Sequence, residues 1–385
     1  MSADHRPEAG PGPLVRQNEV MAPWTTLQLG GPASTVFELK DPTQIGDLDD
    51  IVHIGAAGCP AHPVVLGGGS NVLVADAGVT DPVVLVRSRG VTYRPGNGEG
   101  QVLVTAEAGH PWGDLLEELT GEGLAGMELM TGIPGTVGAM PVQNVGAYGQ
   151  ETADVLVSAR AWDWESRRVV RMDARECRLG HRTSRFKRSR RWLILDVTFR
   201  LIRDSLSQPL TYRQVAEVLD ARLGTRHPIG EVMAAVRSVR AEKGMLWSGA
   251  GPLALRTVGS VFLSPTVDRT HAGVLRGRGA PVHDFPDGSI RVSASWLMRE
   301  AGLRLGQHLI PGVRVSPRHF TLVAEDGATT AAFIAATAQV QEQVAQATGV
   351  WLTPEPDPIG DLPDYQMLTD RAGSAARPPA APRSS

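Results

Sequence analysis

Leu66-Gly67-Gly68-Gly69-Ser70-Asn71-Val72-Leu73 is a glycine-rich loop between two short runs of valine and leucine. About sixty residues later stands a second, Gly132-Ile133-Pro134-Gly135-Thr136-Val137-Gly138-Ala139, followed closely by Gln143-Asn144. Glycine permits positive φ and close approach, and successive N–H groups form an anion cradle. Neither loop is followed by the Gly-Lys-Ser/Thr of a Walker site. Neither shows the Gly-x-Gly-x-x-Gly and long helix of a Rossmann unit. The first loop alone could be a hairpin turn. Two such loops, with amide side chains that both donate and accept beside the second, point to a large phosphorylated cofactor such as a flavin or adenine dinucleotide.

Working outward, Val64–Leu66, Val72–Val74, Val83–Val86, Val102–Val104 and Leu193–Leu195 read as strands by length and β-branching. A helix is expected after Pro111, with Leu115, Leu116 and Leu119 on one face. So few long helices imply a mixed α+β domain rather than repeating strand–helix–strand units. From about Leu210 the spacing turns helical, at Val215, Val218, Leu219 and Leu223 and again at Met233, Val236, Val239 and Arg240. Strands are expected at Val261–Leu263 and Phe320–Ala324, and helices at Ser295–Ala301 and Ala328–Thr348. The expected division is a tail over 1–20, one domain over 21–205, a second over 206–360, and a disordered tail over 361–385.

The chain has 385 residues, 42% hydrophobic and 21% charged, with a formal charge of −3. That balance suits an ordinary globular protein and offers no field for non-specific nucleic-acid binding. Two cysteines, Cys59 and Cys177, exclude a disulfide scaffold. With no apolar leader segment, a cytoplasmic home is expected. No apolar run approaches the roughly 20 residues of a membrane span. The scattered histidines form no metal-ligand pair.

With Leu29-Gly30-Gly31-Pro32-Ala33 and Pro141-Val142-Gln143-Asn144-Val145-Gly146-Ala147-Tyr148-Gly149 added to the two loops, residues 21 to about 360 resemble the UDP-N-acetylenolpyruvoylglucosamine reductase family. The resemblance implies an FAD-binding domain of the vanillyl-alcohol-oxidase (PCMH) type, followed by a smaller α+β substrate-binding C-terminal domain. It implies FAD as cofactor, NADPH as reductant, and UDP-N-acetylglucosamine enolpyruvate as the substrate reduced to UDP-N-acetylmuramate. A monomer is the expected state. The implied FAD-binding residues are Gly67, Gly68, Gly69, Ser70, Asn71, Gly132, Ile133, Gly135, Thr136, Gly138, Ala139, Gln143 and Asn144.

Three catalytic positions follow from the same resemblance. Arg182, in Gly180-His181-Arg182-Thr183-Ser184, matches the family's arginine, whose planar fork suits a carboxylate. Ser260, in Val258-Gly259-Ser260-Val261-Phe262, matches the proton donor, and Glu355, in Trp351-Leu352-Thr353-Pro354-Glu355, the third catalytic residue. Tyr212 and Lys243 are implied at the substrate's nucleotide and diphosphate. Four departures stand beside these positions. His181 replaces a tyrosine, Thr183 an aspartate and Ser264 an asparagine, and Pro356-Asp357-Pro358 replaces a segment with valine and arginine. They leave open a relative with altered substrate choice. A sugar or alcohol oxidase with flavin attached through His62, His110 or Cys59 remains an alternative, as does a non-catalytic flavin- or UDP-sugar-binding regulator.

Overall fold

The computed structural model describes residues 14–55, 62–246, 255–285 and 287–375. In the first half, a four-stranded sheet runs in the order Leu14–Val20, Pro32–Leu39, Val83–Val86, Val64–Leu66. Its outer pair is antiparallel and the remaining pairings are parallel. Beside it lies an antiparallel sheet centred on the long strand Trp192–Arg203, flanked by Leu156–Asp163 and Gln101–Glu107. The helix Trp112–Gly121 begins after Pro111, as expected, and buries Leu115, Leu116 and Leu119. These side chains share a core with Leu48 and Val52 of the helix Ile45–Gly55 and with Val104, Val197 and Phe199 of the second sheet.

In the second half, the helix Thr330–Thr348 presents Phe333, Ile334, Val340 and Val344 to Val313, Val315 and Leu322 of a three-stranded sheet. Leu27, Leu29 and Leu73 of the first half belong to that same core. Backbone pairing ties the halves as well. The strand Val72–Val74 pairs in parallel with Asp357–Ile359, and Asp357 N donates to Asn71 O at 3.0 Å. The first glycine loop is therefore the link between a strand of the first sheet and a strand paired with the chain's far end.

Several sequence expectations differ from what is found. Residues 14–20, assigned to a tail, form an edge strand held by backbone pairing to Pro32–Leu39, which needs few apolar side chains. Residues 363–375, also assigned to a tail, form a helix that buries Tyr365 and Leu368 in the second core and Ala372 beside them. Packing does not break at 205. Val215, Val232, Val236 and Val239, on the helices Arg213–Val218 and Ile229–Glu242, cover Leu129 and Tyr148 of the first half. Leu223 lies past the end of its helix and is exposed. Val261–Leu263 forms no strand and instead makes a single antiparallel bridge, Phe262 to Pro354.

Candidate active site

The glycines of the first loop are demanded by its neighbours. A Cβ on Gly68 would stand 2.6 Å from Gly135 Cα. One on Gly69, where φ is +61°, would stand 2.0 Å from the Trp24 carbonyl oxygen. The two glycine-rich loops thus meet backbone to backbone, and Ser70 Oγ donates to Pro134 O at 3.1 Å. Arg87, which carries no motif signal in the sequence, packs over the Trp24 ring and donates to Gly67 O at 2.9 Å.

With their Cβ sides turned onto protein, the loops keep backbone donors free. Among the described residues, the N–H groups of Gly68, Gly69, Ser70, Ile133 and Thr136 have no protein acceptor. All five residues line one cavity of about 700 Å³, with Val65, Val142 and Ile194 as apolar wall. Unpartnered N–H groups in a concave wall fit the diphosphate of a dinucleotide, and the apolar wall fits a ring system. The residues present therefore suit FAD.

The cavity also brings together residues far apart in sequence. Gly67, Asn71, Gly138, Ala139, Gln143, Arg182, Tyr212, Lys243, Ser260 and Glu355 all line it. Gly132, Gly135 and Asn144 do not; each serves a neighbour instead. Gly132 O accepts from Arg240 Nε at 3.0 Å, and Gly135 O accepts from Trp112 N at 3.1 Å, at the start of its helix. The Asn144 side chain donates to Gly180 O and accepts from Ala153 N, which anchors the loop bearing Arg182.

Arg182 adopts φ +50°, uncommon for a residue with a side chain. Its guanidinium donates to Asn144 O at 3.2 Å and Gly146 O at 2.9 Å, and its Nε lies 3.6 Å from Glu355 Oε1. Glu355 N donates to Val261 O at 2.8 Å, which places the segment just before the strand Asp357–Ile359 beside Ser260. Burial pushes the Glu355 carboxyl above its usual range, opposed by Arg182, Lys187 and the Gln143 hydrogen bond and reinforced by Asp357.

At another part of the wall, Lys243 Nζ stands 5.6 Å from the Tyr212 ring centre and 5.7 Å from that of Tyr148. Those rings meet edge to face at 5.0 Å. Burial, with Arg240 adding to it, lowers the Lys243 pKa. Neither Lys243 nor Arg240 makes an ion pair among the described residues, so this corner is suited to a phosphate-bearing ligand. Tyr148, Arg240 and His319 also line the cavity without a site signal in the sequence, although Tyr148 lies inside a quoted motif and Arg240 on a helical stripe.

The four sequence departures occupy different settings. Asp357 pairs with Lys187 at 2.9 Å and faces Arg188 at 3.6 Å. Thr183 closes the Arg182 turn by exchanging backbone hydrogen bonds with Gly180. His181 and Ser264 are exposed. Of the residues considered for flavin attachment, His62 and His110 are not among those lining the cavity, and Cys59 lies outside the described residues. No described helix is long and apolar enough to cross a membrane. No described cluster of His, Cys, Asp or Glu could hold a metal ion.

Fold and cavity define a flavoprotein: residues 41–173 match the family model of an FAD binding domain. Residues 251–359 match the C-terminal domain of UDP-N-acetylenolpyruvoylglucosamine reductase. The UDP-N-acetylenolpyruvoylglucosamine reductase of Salinispora arenicola is 38% identical over 343 residues, 86% of this chain and 92% of the relative. That of Thermobifida fusca is 35% identical over 354 residues, 89% of this chain and 98% of the relative. A crystal structure of the reductase (MurB) from Thermus caldophilus shares the fold at 20% identity, with a TM-score of 0.60 over 90% of this chain and 98% of that one. The chain belongs to the UDP-N-acetylenolpyruvoylglucosamine reductase family and is an FAD-dependent oxidoreductase.

Proposed function

We propose that this chain reduces the enolpyruvyl ether of UDP-N-acetylglucosamine to UDP-N-acetylmuramate, a cell-wall precursor, at the expense of NADPH. The observation that supports this reading best is the meeting of Arg182, Glu355 and Ser260 in the cavity whose wall suits FAD. FAD, when bound, supplies the hydride that goes to the β-carbon of the enolpyruvyl group. Arg182 holds the substrate carboxylate and stabilises the charge that grows there. Ser260 gives its hydroxyl proton to the α-carbon, a transfer a weak acid can make only toward a strongly basic enolate-like centre. Glu355, kept beside Ser260 by its backbone bond to Val261, assists that delivery. Lys243 and Tyr212 receive the diphosphate and nucleotide.

The test is a stopped-flow trace of the bound flavin. NADPH is expected to bleach it, and UDP-N-acetylglucosamine enolpyruvate then to restore its absorbance. Purified protein without flavin, or reduced flavin indifferent to that substrate, would sink the proposal. The same trace with other UDP-sugars reads any change in substrate choice.

A further inference from the structure

The side-chain oxygen of Gln143 is claimed by two donors. Oε1 accepts from Asn71 Nδ2 at 2.6 Å and from Lys187 Nζ at 2.9 Å, while Nε2 donates to Glu355 Oε1 at 3.2 Å. An ammonium carries protons and no lone pair, so Lys187 accepts only the oxygen end of this amide as neighbour. Turning the amide over would set its nitrogen against Nζ and its oxygen against the Glu355 carboxylate. Asn71 cannot impose the choice, because its own amide offers both ends and could turn with Gln143.

Lys187 is itself tightly placed. Its Nζ also reaches Asp357 Oδ2 at 2.9 Å and the Glu355 carbonyl at 3.3 Å, and only 11% of its side chain is exposed. It therefore joins both glycine-rich loops, through Gln143 and Asn71, to the segment Glu355–Asp357. We propose that Lys187 is a positioning residue that turns the N–H of Gln143 onto Glu355, so that the carboxylate faces two donors, Gln143 and Arg182. What this orientation serves in catalysis rests on the role proposed above for Glu355; the orientation itself does not.

The charged and titratable groups around Glu355 are Arg182, Lys187, Asp357 and the nearby Tyr365. A test must separate the orientation of the amide from the charge of the lysine. Replacing the buried pair together, as Lys187→Met with Asp357→Asn, removes one charge of each sign and leaves no carboxylate stranded. Lys187→Arg keeps a donor-only cation. The readout is the titration midpoint of the Glu355 carboxyl infrared band in the FAD-loaded protein, assigned by its loss in Glu355→Gln.

With the Gln143 amide free to turn, the double variant should titrate about one unit or more above the parent protein. Lys187→Arg should stay close to the parent. A double variant within about 0.3 unit of the parent, or an arginine variant shifted as far as the double one, overturns the proposal. No substrate is needed for this measurement. A failure of the reductase reading in the stopped-flow experiment is therefore a separate result.

Discussion

Arg182 Nε stands 3.6 Å from Glu355 Oε1, the two side chains arriving from opposite halves of the chain. The arginine is not free to follow its partner, because carbonyls of Asn144 and Gly146 hold its other nitrogens. The carboxylate is fixed in turn by Gln143 and by the bond of its own backbone N–H to Val261. Cation, carboxylate and Ser260 loop are thus held in place by the protein itself.

Gly68→Ala should cost FAD rather than the fold of the rest of the chain. The new Cβ would stand 2.6 Å from Gly135 Cα and push apart the loops that share the cavity wall. Overpacking of this kind costs about 1–3 kcal/mol, which corresponds to about 5- to 150-fold in cofactor affinity. Titration of apoprotein with FAD, followed by flavin fluorescence, measures it; unchanged affinity would contradict this account of the loop.

Ser260→Ala should split the two half-reactions. Reduction of the flavin by NADPH is expected at the parent rate, and reoxidation by the enolpyruvyl substrate should slow by about 10²- to 10⁴-fold. Rapid-mixing traces of each half-reaction decide it. Equal damage to both would remove Ser260 from the proton-donor role.

Acid should destabilise the protein partly through His319. Burial, with the nearby positive charge of Lys243 adding to it, lowers its pKa to about 4, against about 6.5 for a free imidazole. Between those values the unfolded chain binds more protons than the native one. The resulting stability is complete above about pH 6.5 and is lost as pH falls toward 4. His319→Gln should flatten the dependence of melting temperature on pH across that window. A slope identical to the parent's would show that His319 does not contribute.

Tyr365→Phe tests whether the helix Pro363–Ala375 holds the segment that carries Glu355. The buried Tyr365 hydroxyl donates to Pro356 O at 2.6 Å, one residue from Glu355. Losing that bond leaves a buried carbonyl without it, at a cost of about 1–2 kcal/mol. Urea unfolding reads the stability, and reoxidation by substrate should slow more than reduction by NADPH. A variant as stable as the parent would release this helix from the role.

Much of the candidate site was legible because its chemistry sits in contiguous motifs. The two glycine-rich loops, Gln143 beside them, and the segments around Arg182, Ser260 and Glu355 each announce themselves within a few residues, and the described cavity gathers them. Lys187 carries no motif signal of its own, since a lysine in a run of basic residues looks like any solvated charge. Its meaning comes from Asp357 and Gln143, both distant in sequence. Arg87 and His319 had no motif at all.

The same division holds for the fold. Helices with a clear apolar stripe, such as Thr330–Thr348, were readable because 3.6-residue periodicity is a local property. The helix Pro363–Ala375 was missed because only Tyr365, Leu368 and Ala372 mark its buried face, in a stretch running into alanine and proline. The strand Leu14–Val20 was missed because backbone pairing, not side-chain burial, holds an edge strand.

By itself, then, the sequence determined the cofactor class, the family and the residues proposed for the chemistry, since these depend on short-range patterns of glycine, amide and charge. Only the tertiary structure decided how they meet. The parallel pairing of Val72–Val74 with Asp357–Ile359 brings Glu355 to the first loop, and a buried ammonium selects which end of Gln143 faces it. Both depend on contacts between segments distant in sequence, which packing and hydrogen bonding create and no local pattern encodes.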